Sequence, residues 1–196
     1  RKHLVLPNLE LAHVLAAEWD FQEVLSDRGI EPATMPFMTL VSSAIDQADG
    51  EPSYYIERIL TYLPTDSALF FTTRDDRILL KKQRKQLIPL VEFVRDIFGI
   101  ELLTAEDGSI GKLIHPSESI RKFRDIIESL DPFVLSCMHA ATIECKSAII
   151  ALALLCRRID MDQARAASRI EEEFQVEIWG VVEGGHDMDR LNNSVK

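Results

Sequence analysis

Apolar residues recur at helical spacing over most of the chain, and glycine, proline and aspartate separate one series from the next. Asn8 precedes the first series and is expected to cap its helix, because an asparagine side chain accepts hydrogen bonds from the first free amides. Pro89 falls inside the fourth series, where an interior proline should kink or split the helix. Helices are thus predicted for about residues 8–25, 36–48, 53–62 and 77–98.

The second half of the chain carries three more helical series. Ser117 is expected to cap the first of them, and Asp131 before a proline opens the second. The second series spans about residues 133–159 and is apolar nearly all round over its second half, which only a helix surrounded by others tolerates. It is therefore predicted to be the central helix of the core. Asp160 is expected to cap a final long helix over about residues 161–179.

Two short regions have the β-prone composition of strands. Residues 68–73 are a compact run of alanine, leucine, phenylalanine and threonine between turn formers. Residues 100–103 and 112–114 flank a turn at 107–108 and are expected to form a small hairpin, or a strand pair beside the first run. The predicted fold class is therefore mainly α with a small β component (α+β), a helical bundle around a central apolar helix with a few short strands.

The composition fits one folded domain and limits the kinds of partner. The chain has 196 residues, of which 46% are hydrophobic, so a packed core is expected. Its formal net charge of -10 and pI near 5.0 argue against nucleic acid, which binds basic surfaces, and favour a neutral or basic protein partner. The longest apolar run, residues 148–156, is far shorter than the roughly 20 residues that span a bilayer, so no membrane insertion is predicted.

Residues with catalytic or metal-binding chemistry do not fall into a recognised pattern. Residues 107–112, DGSIGK, superficially resemble a phosphate-binding loop, but two residues rather than four separate the glycines, and an ordinary turn is favoured. The five histidines lack metal-ligand spacing, and the basic run 81–85 is expected to be a solvated helix face. No cofactor or metal is predicted. The three cysteines are expected to be reduced core residues: Cys137, Cys145 and Cys156.

The last predicted helix has two different sides. The side expected to face the core carries Ala167, Ile170, Phe174 and Ile178. The opposite side carries Ser168, Glu172, Gln175 and Trp179. A tryptophan on that side must either be buried under the glycine-rich tail or be available to a partner, and the sequence leaves both open. The same question applies to Trp19 near the other end of the chain.

Several short motifs follow one another in order along the chain. They are EWDFQ at 18–22, MPFMT at 35–39 leading to AID at 44–46, LPTDS at 63–67, KS at 146–147, and SRIEEEFQ at 168–175 leading to WG at 179–180 and EGGHD at 183–187. Each motif is weak alone. Their number and order over nearly the whole chain resemble those of Atp12-type assembly factors of the F1 ATPase.

The resemblance implies a chaperone of the mitochondrial matrix and not an enzyme. Family members bind the free F1 ATP synthase alpha subunit and shield the surface that it later offers to the beta subunit. A β-rich domain normally precedes the helical region. Residues 1–7 are then a remnant of that domain, and residues 8–196 form the helical Atp12-type domain, including a small strand layer near 67–73 and 100–115.

The resemblance also implies a client-binding role for the last helix. The family's acidic residue in this helix corresponds to one of Glu171, Glu172 and Glu173. Helical geometry favours Glu172 for an exposed contact and Glu171 for one nearer the core. The predicted client-binding residues are Glu171, Glu172, Gln175, Trp179, Ser168 and Trp19.

Two other classes of function compete with this interpretation. The first is a small soluble enzyme or ligand-binding protein with an acidic cleft, in which Glu172, His186 and Asp187 act as acid-base groups. Converging carboxylates with perturbed pKa values would favour it, whereas a shallow groove with an exposed tryptophan would favour the chaperone. The second is a structural subunit of a larger assembly, which would present a broader apolar surface than transient binding needs.

Overall fold

A computed structural model of the protein describes residues 4–24, 29–48, 50–109 and 111–180. Nine α-helices account for most of the described residues. They are α1 (Leu9–Val24), α2 (Pro36–Ser43), α3 (Pro52–Leu60), α4 (Arg77–Phe98), α5 (Ser117–Glu128), α6 (Pro132–Cys145), α7 (Ala148–Leu155), α8 (Met161–Ser168) and α9 (Ile170–Trp179). A π-helical turn, Ala44–Ala48, follows α2 directly, so the helix predicted for 36–48 has two parts.

Local capping signals place several helix ends where the sequence predicts them. The Leu11 amide donates to Asn8 Oδ1 at 2.8 Å, which confirms the cap of α1. The Asp131 carboxylate accepts from the first free amides of α6, and the Asp160 carboxylate forms a capping box with Gln163 at the start of α8. α4 continues through Pro89 and is not split there. The proline is exposed, so solvent can satisfy the backbone carbonyl that loses its amide donor.

Two helices predicted as continuous are broken. The stretch predicted as one central helix divides into α6 and α7 at Lys146, whose φ of 53° is left-handed, and the Ser147 hydroxyl caps α7 by accepting from the Ile150 amide. The predicted last helix divides into α8 and α9 at Arg169, where φ is -124° and ψ is 17°. At the first break the Asp66 carboxylate, 82 residues before Ala148, also binds the Ala148 amide, and helical spacing did not indicate that contact.

The core surrounds α7, which takes the central place predicted for the longer helix. Residues 148–153 are all buried, and α7 packs against α4, α6 and α8. Such burial on all sides explains why this short helix is apolar all round. The largest fully buried side chains around it come from several other elements and include Ile59, Leu63, Leu69, Phe123, Ile127 and Met138.

The predicted β component is wrong. The described residues are 70% helical and 1% strand, with no sheet. Residues 67–69 form a 3-10 turn capped by Asp66, which takes two of the six residues predicted as a strand. A single parallel bridge joins Phe70 to Ala105, with the Phe71 amide donating to the Ala105 carbonyl at 2.8 Å.

The strand pair predicted near 100–115 is also absent from the described residues. The amides that such a pair would use are bound elsewhere: the Leu103 amide donates to His115 Nδ1 at 3.2 Å, and the Leu113 amide donates to the Pro64 carbonyl at 2.8 Å. His115 is buried, and its Nε2 donates to the Leu63 carbonyl at 2.8 Å. A buried histidine therefore holds this extended segment in place of a second strand.

The cysteines occupy different environments from those predicted. Cys137 and Cys156 are exposed, and only Cys145 is half-buried. Burial raises the pKa of the Cys145 thiol to about 11, which keeps it protonated at neutral pH.

Within the described ranges no helix combines the length and the apolar character needed to cross a bilayer.

Candidate functional site

α9 is fixed to α4 by polar and aromatic contacts along one side. Gln83 is buried in α4 and its Nε2 donates to Glu171 Oε1 at 2.8 Å. Further along, the Lys82 ammonium lies 5.5 Å from the centroid of the Phe174 ring and pairs with Glu177.

The side of α8 and α9 predicted to face the core is buried over most of its length. Ala167, Ile170 and Phe174 are 6–7% exposed. Ile178 is 55% exposed, so the last turn of α9 extends past the edge of the core. The predicted stripe is thus confirmed at three positions and wrong at the fourth.

The other side of α9 forms an accessible surface, which we call the α9 surface: Glu172, Gln175 and Trp179. Glu172 is half-buried, Gln175 is exposed, and Trp179 is 76% exposed. These three residues share one side because they lie at i, i+3 and i+7. Ser168, which was predicted to join them, is the last residue of α8, and the break at Arg169 takes it out of their helical register.

The acidic run at the start of α9 is largely paired with groups on other helices. Glu172 lies 3.1 Å from the Lys146 ammonium, and Glu173 lies 3.9 Å from the Arg165 guanidinium. Glu171 accepts a hydrogen bond from buried Gln83, but it is itself exposed whereas Glu172 is half-buried, so burial does not follow the expected order. The run is therefore less of a free negative patch than its sequence indicates. Exposed pairs of this kind contribute about 0–1 kcal/mol to stability.

Trp19 belongs to a different part of the molecule. It lies on α1, is 43% exposed, and its helix packs against α2, whereas α9 packs against α4. The structure thus places the two tryptophans on separate helix pairs. α1 buries little of itself: Leu15 and Gln22 are its buried residues among those described, and Phe21 is 50% exposed.

The EWDFQ and MPFMT motifs meet in the structure and have a structural role there. Glu18 accepts hydrogen bonds from the Phe37 and Met38 amides, both at 2.8 Å, and so binds the first free donors of α2. One turn later, the Gln22 side chain donates to Thr34 Oγ1 at 2.6 Å and accepts from the Glu31 amide at 2.8 Å. Two residues of α1 therefore hold the segment 31–38 against it.

Replacing Glu18 by alanine is expected to lower the free energy of unfolding by about 1–2 kcal/mol, because two amides at the start of α2 lose a charged acceptor. Urea unfolding followed by circular dichroism measures the change. Asp20→Ala is the matched control, because Asp20 is exposed two residues away on the same helix and should change stability by less than about 0.5 kcal/mol. Equal effects of the two substitutions would contradict the role of Glu18.

Asp66 of the LPTDS motif joins that motif to Lys146-Ser147, a contact that sequence reasoning missed. The carboxylate is fully buried and accepts from the amides of Ala148 and Ile149 at 2.7 and 3.2 Å, and from Ala68 at 3.0 Å. The Ser67 amide adds a bond to the Lys146 carbonyl at 3.3 Å. The only local signal was an Asp-Ser pair typical of turns. Nothing in the sequence indicated the bonds to α7, more than 80 residues away.

Burial raises the pKa of Asp66 from 3.8 to about 6, and the hydrogen bonds from Ser147 and from three amides limit the rise. The folded protein therefore binds this proton at pH values where the unfolded chain has lost it. Between about pH 4 and pH 6 the contribution of Asp66 to the free energy of unfolding decreases as the pH rises.

Lowering the pH from about 7 to about 5 should therefore stabilise the wild-type protein by about 1 kcal/mol relative to Asp66→Asn, which does not titrate. Urea unfolding of both proteins across this range measures the difference between their free energies of unfolding. A difference independent of pH would mean that the Asp66 pKa is close to its unfolded value.

The junction between α6 and α7 lies beneath α8 and α9. The Lys146 ammonium bonds to Glu172 of the α9 surface. Lys146 is in turn followed by Ser147, which Asp66 contacts. The buried Asp66 is therefore connected to the accessible α9 surface through two residues of the junction.

An acidic catalytic cleft is not supported by the described residues. His186 and Asp187 lie outside them, and Glu172 is 42% exposed and paired with Lys146. An open groove of about 680 Å³ near residues 104–109 contains Glu106, which pairs with Arg84, and Asp107, whose pKa is lowered by its hydrogen bond to Ser109. In the part of the chain that the structure describes, no three metal-binding side chains come together.

Comparison with known proteins gives consistent matches. The family described as ATP12 chaperone protein matches residues 1–95. The chain is 28% identical over 186 residues to mitochondrial protein atp12 of Schizosaccharomyces pombe, covering 91% of this chain and 62% of that protein. It is 27% identical over 219 residues to mitochondrial protein ATP12 of Saccharomyces cerevisiae, covering 92% of this chain and 66% of that protein.

One solved structure resembles the fold of this protein over nearly the whole of this chain. The crystal structure of Atp12 from Paracoccus denitrificans superimposes with a TM-score of 0.85 at 27% identity, and the match covers 99% of this chain and 79% of that one. The chain spans less than two thirds of the length of the two yeast relatives.

Proposed function

Because the chain belongs to the ATP12 chaperone family, we propose that it is an assembly chaperone that binds the free alpha subunit of F1 ATP synthase and shields the surface that alpha later offers to beta. The observation that carries this proposal is Trp179, which is 76% exposed on a helix that α4 holds in place. Such an aromatic side chain is costly to leave in water and is typical of the anchor of an interface.

The α9 surface has the composition of a transient interface. Trp179 supplies an apolar anchor, and Gln175 and Glu172 supply polar groups around it, so the client can be held without a large apolar patch. Release then requires no nucleotide. The beta subunit displaces the chaperone by mass action if it binds alpha more tightly.

The proposed location is the mitochondrial matrix. The two yeast relatives are described as mitochondrial proteins, which agrees with an assembly role there. Membership of a chaperone family supports a role in binding and not in catalysis. The net charge of -10 favours a protein client over nucleic acid. Trp19 and Glu171 are proposed as additional client contacts, Trp19 from the separate α1–α2 pair.

Co-expression of the full-length protein with free F1 alpha tests the proposal. A soluble complex should be recovered with the wild type, and Glu172→Lys should reduce its yield about tenfold, because the substitution places a cation beside Lys146 in the α9 surface. Glu92→Lys is the matched control, since Glu92 is exposed on α4 nine residues beyond Gln83. Failure of the wild type to keep alpha soluble would refute the proposed function.

A further inference from the structure

A row of cations lies along the first half of α4. Arg77, Lys81 and Lys85 follow one another at i, i+4 and i+8, so they share one side of the helix at intervals of about 6 Å along its axis. All three side chains are exposed. Throughout the described ranges no carboxylate lies within 4.0 Å of any of them. We call these three residues the α4 row.

The α4 row contrasts with the cations immediately beside it. Lys82 pairs with Glu177, and Arg84 pairs with Glu106 at 2.7 Å. The fold thus neutralises the neighbours but leaves the row unpaired, although the whole chain carries a net charge of -10. Like charges at i and i+4 destabilise a helix, so the row does not serve the stability of α4. An unpaired cationic row in an acidic protein is a distinct electrostatic feature of this surface.

An exposed apolar side chain lies beside the row, and the last turn of α9 contacts the same helix. Ile78, next to Arg77, is 66% exposed and lies one turn before Lys82, which contacts α9 at Glu177. Glu177 is two residues from Trp179, so the last turn of α9 contacts α4 at Lys82, next to Lys81 of the row. The α4 row and the α9 surface therefore lie on two helices that pack together.

We infer that the α4 row is a second part of the client-binding surface and binds an acidic segment of the client; this inference rests on the function proposed above. Charge complementarity supports it, because the rest of a chain with a net charge of -10 repels an acidic segment and the row attracts it. An extended segment places alternate side chains about 6–7 Å apart, which matches the spacing of the row. The row fixes the orientation of a client that Trp179 anchors.

The test measures binding of free F1 alpha to the full-length chaperone carrying Lys81→Glu and Lys85→Glu together. At about 100 mM salt the affinity should fall about tenfold, and the loss should shrink toward zero at about 500 mM salt, where screening removes exposed charge interactions. Lys81→Arg with Lys85→Arg should retain wild-type affinity. The matched control is Lys112→Glu with Arg158→Glu, which makes the same change of charge at exposed positions outside α4 and α9.

The outcomes separate this inference from the proposed function. If Trp179→Ala weakens binding while the charge-reversed row binds like the control at both salt concentrations, the row is only a solvated face and the inference is overturned. The inference also fails if the row variant loses binding to phosphatidylglycerol vesicles and keeps its affinity for alpha, since the partner is then a membrane surface. If the wild type does not bind alpha, both proposals fall. Circular dichroism should show the same unfolding midpoint for all variants, because the residues are exposed.

Discussion

Replacing Asp66 by alanine is expected to lower the free energy of unfolding by about 3–5 kcal/mol, the largest effect of any single substitution considered for this chain. The carboxylate is fully buried and accepts from the amides of Ala68, Ala148 and Ile149. Without it, three buried donors lose their acceptor where water has no access, and each unpaired donor costs about 1–3 kcal/mol. Partial rearrangement makes the total smaller than the sum.

Urea unfolding followed by circular dichroism gives this free energy. The matched control is Asp107→Ala, because the Asp107 carboxylate also accepts from a nearby amide, that of Ser109 at 3.0 Å, but does so on the exposed surface. Solvent can replace that acceptor, so the control should lose less than about 1 kcal/mol. An Asp66→Ala protein within 1 kcal/mol of the control would show that the loop and α7 are held mainly by apolar packing.

Trp179→Ala is expected to weaken binding of free F1 alpha about 30-fold or more, which corresponds to about 2 kcal/mol. The side chain is 76% exposed, so its removal should leave the free energy of unfolding unchanged within about 0.5 kcal/mol. Its large apolar area is then available to the client. Affinity is measured by titrating the labelled chaperone variant with alpha kept soluble at low concentration.

A second exposed apolar side chain provides the control for Trp179. Ile114 is 88% exposed in the segment between α4 and α5, and Ile114→Ala should leave the affinity for alpha unchanged. Trp179→Phe keeps part of the aromatic area and should lose less affinity than the alanine variant. Equal binding by the alanine variants at the two positions would remove Trp179 from the interface.

The helix ends were predictable from the sequence because capping is local. Asn8, Asp131 and Asp160 each bind amides within three residues of themselves, so the sequence around them contains the whole interaction. The buried side of α8 and α9 was predictable for a similar reason, since helical spacing alone places Ala167 and Phe174 on one side.

The breaks and the missing strands depended on residues far away in the chain. Lys146 leaves the helix where Asp66 and Ser147 bind the free amides of α7, and an uninterrupted apolar run gives no sign of that contact. The aromatic segment after Asp66 has strand-like composition, but its first part forms a 3-10 turn and only one residue pair forms a bridge. Composition shows that a segment will be buried and not which hydrogen bonds it will form.

The candidate site was predictable in outline and not in its charges. Periodicity placed Glu172, Gln175 and Trp179 on the outward side of the last helix, and the structure leaves Trp179 highly exposed. The cations that pair with Glu172 and Glu173, on the α6–α7 junction and α8, could not be assigned from spacing within one helix. The basic run 81–85 was predicted to be a solvated helix face, and Lys81 and Lys85 are exposed; that Lys82 and Arg84 between them are paired could not be predicted from the run itself.

The two residues that begin the EWDFQ motif show how a family signature can mislead about function. Trp19 is accessible, but Glu18 beside it holds the first amides of α2. A substitution that spans both positions would unfold part of the protein and remove a possible contact together. Only single substitutions separate the two effects.

The Asp66 carboxylate, which binds amides from two distant segments, also affects when a newly synthesised chain can complete its fold. The residues it joins are more than 80 positions apart, so most of the chain must be synthesised before the α6–α7 junction can fold. Lys146 of that junction pairs with Glu172 of α9, and α9 follows the junction in the chain. An unfinished copy therefore lacks the ion pair that positions Glu172 on the α9 surface.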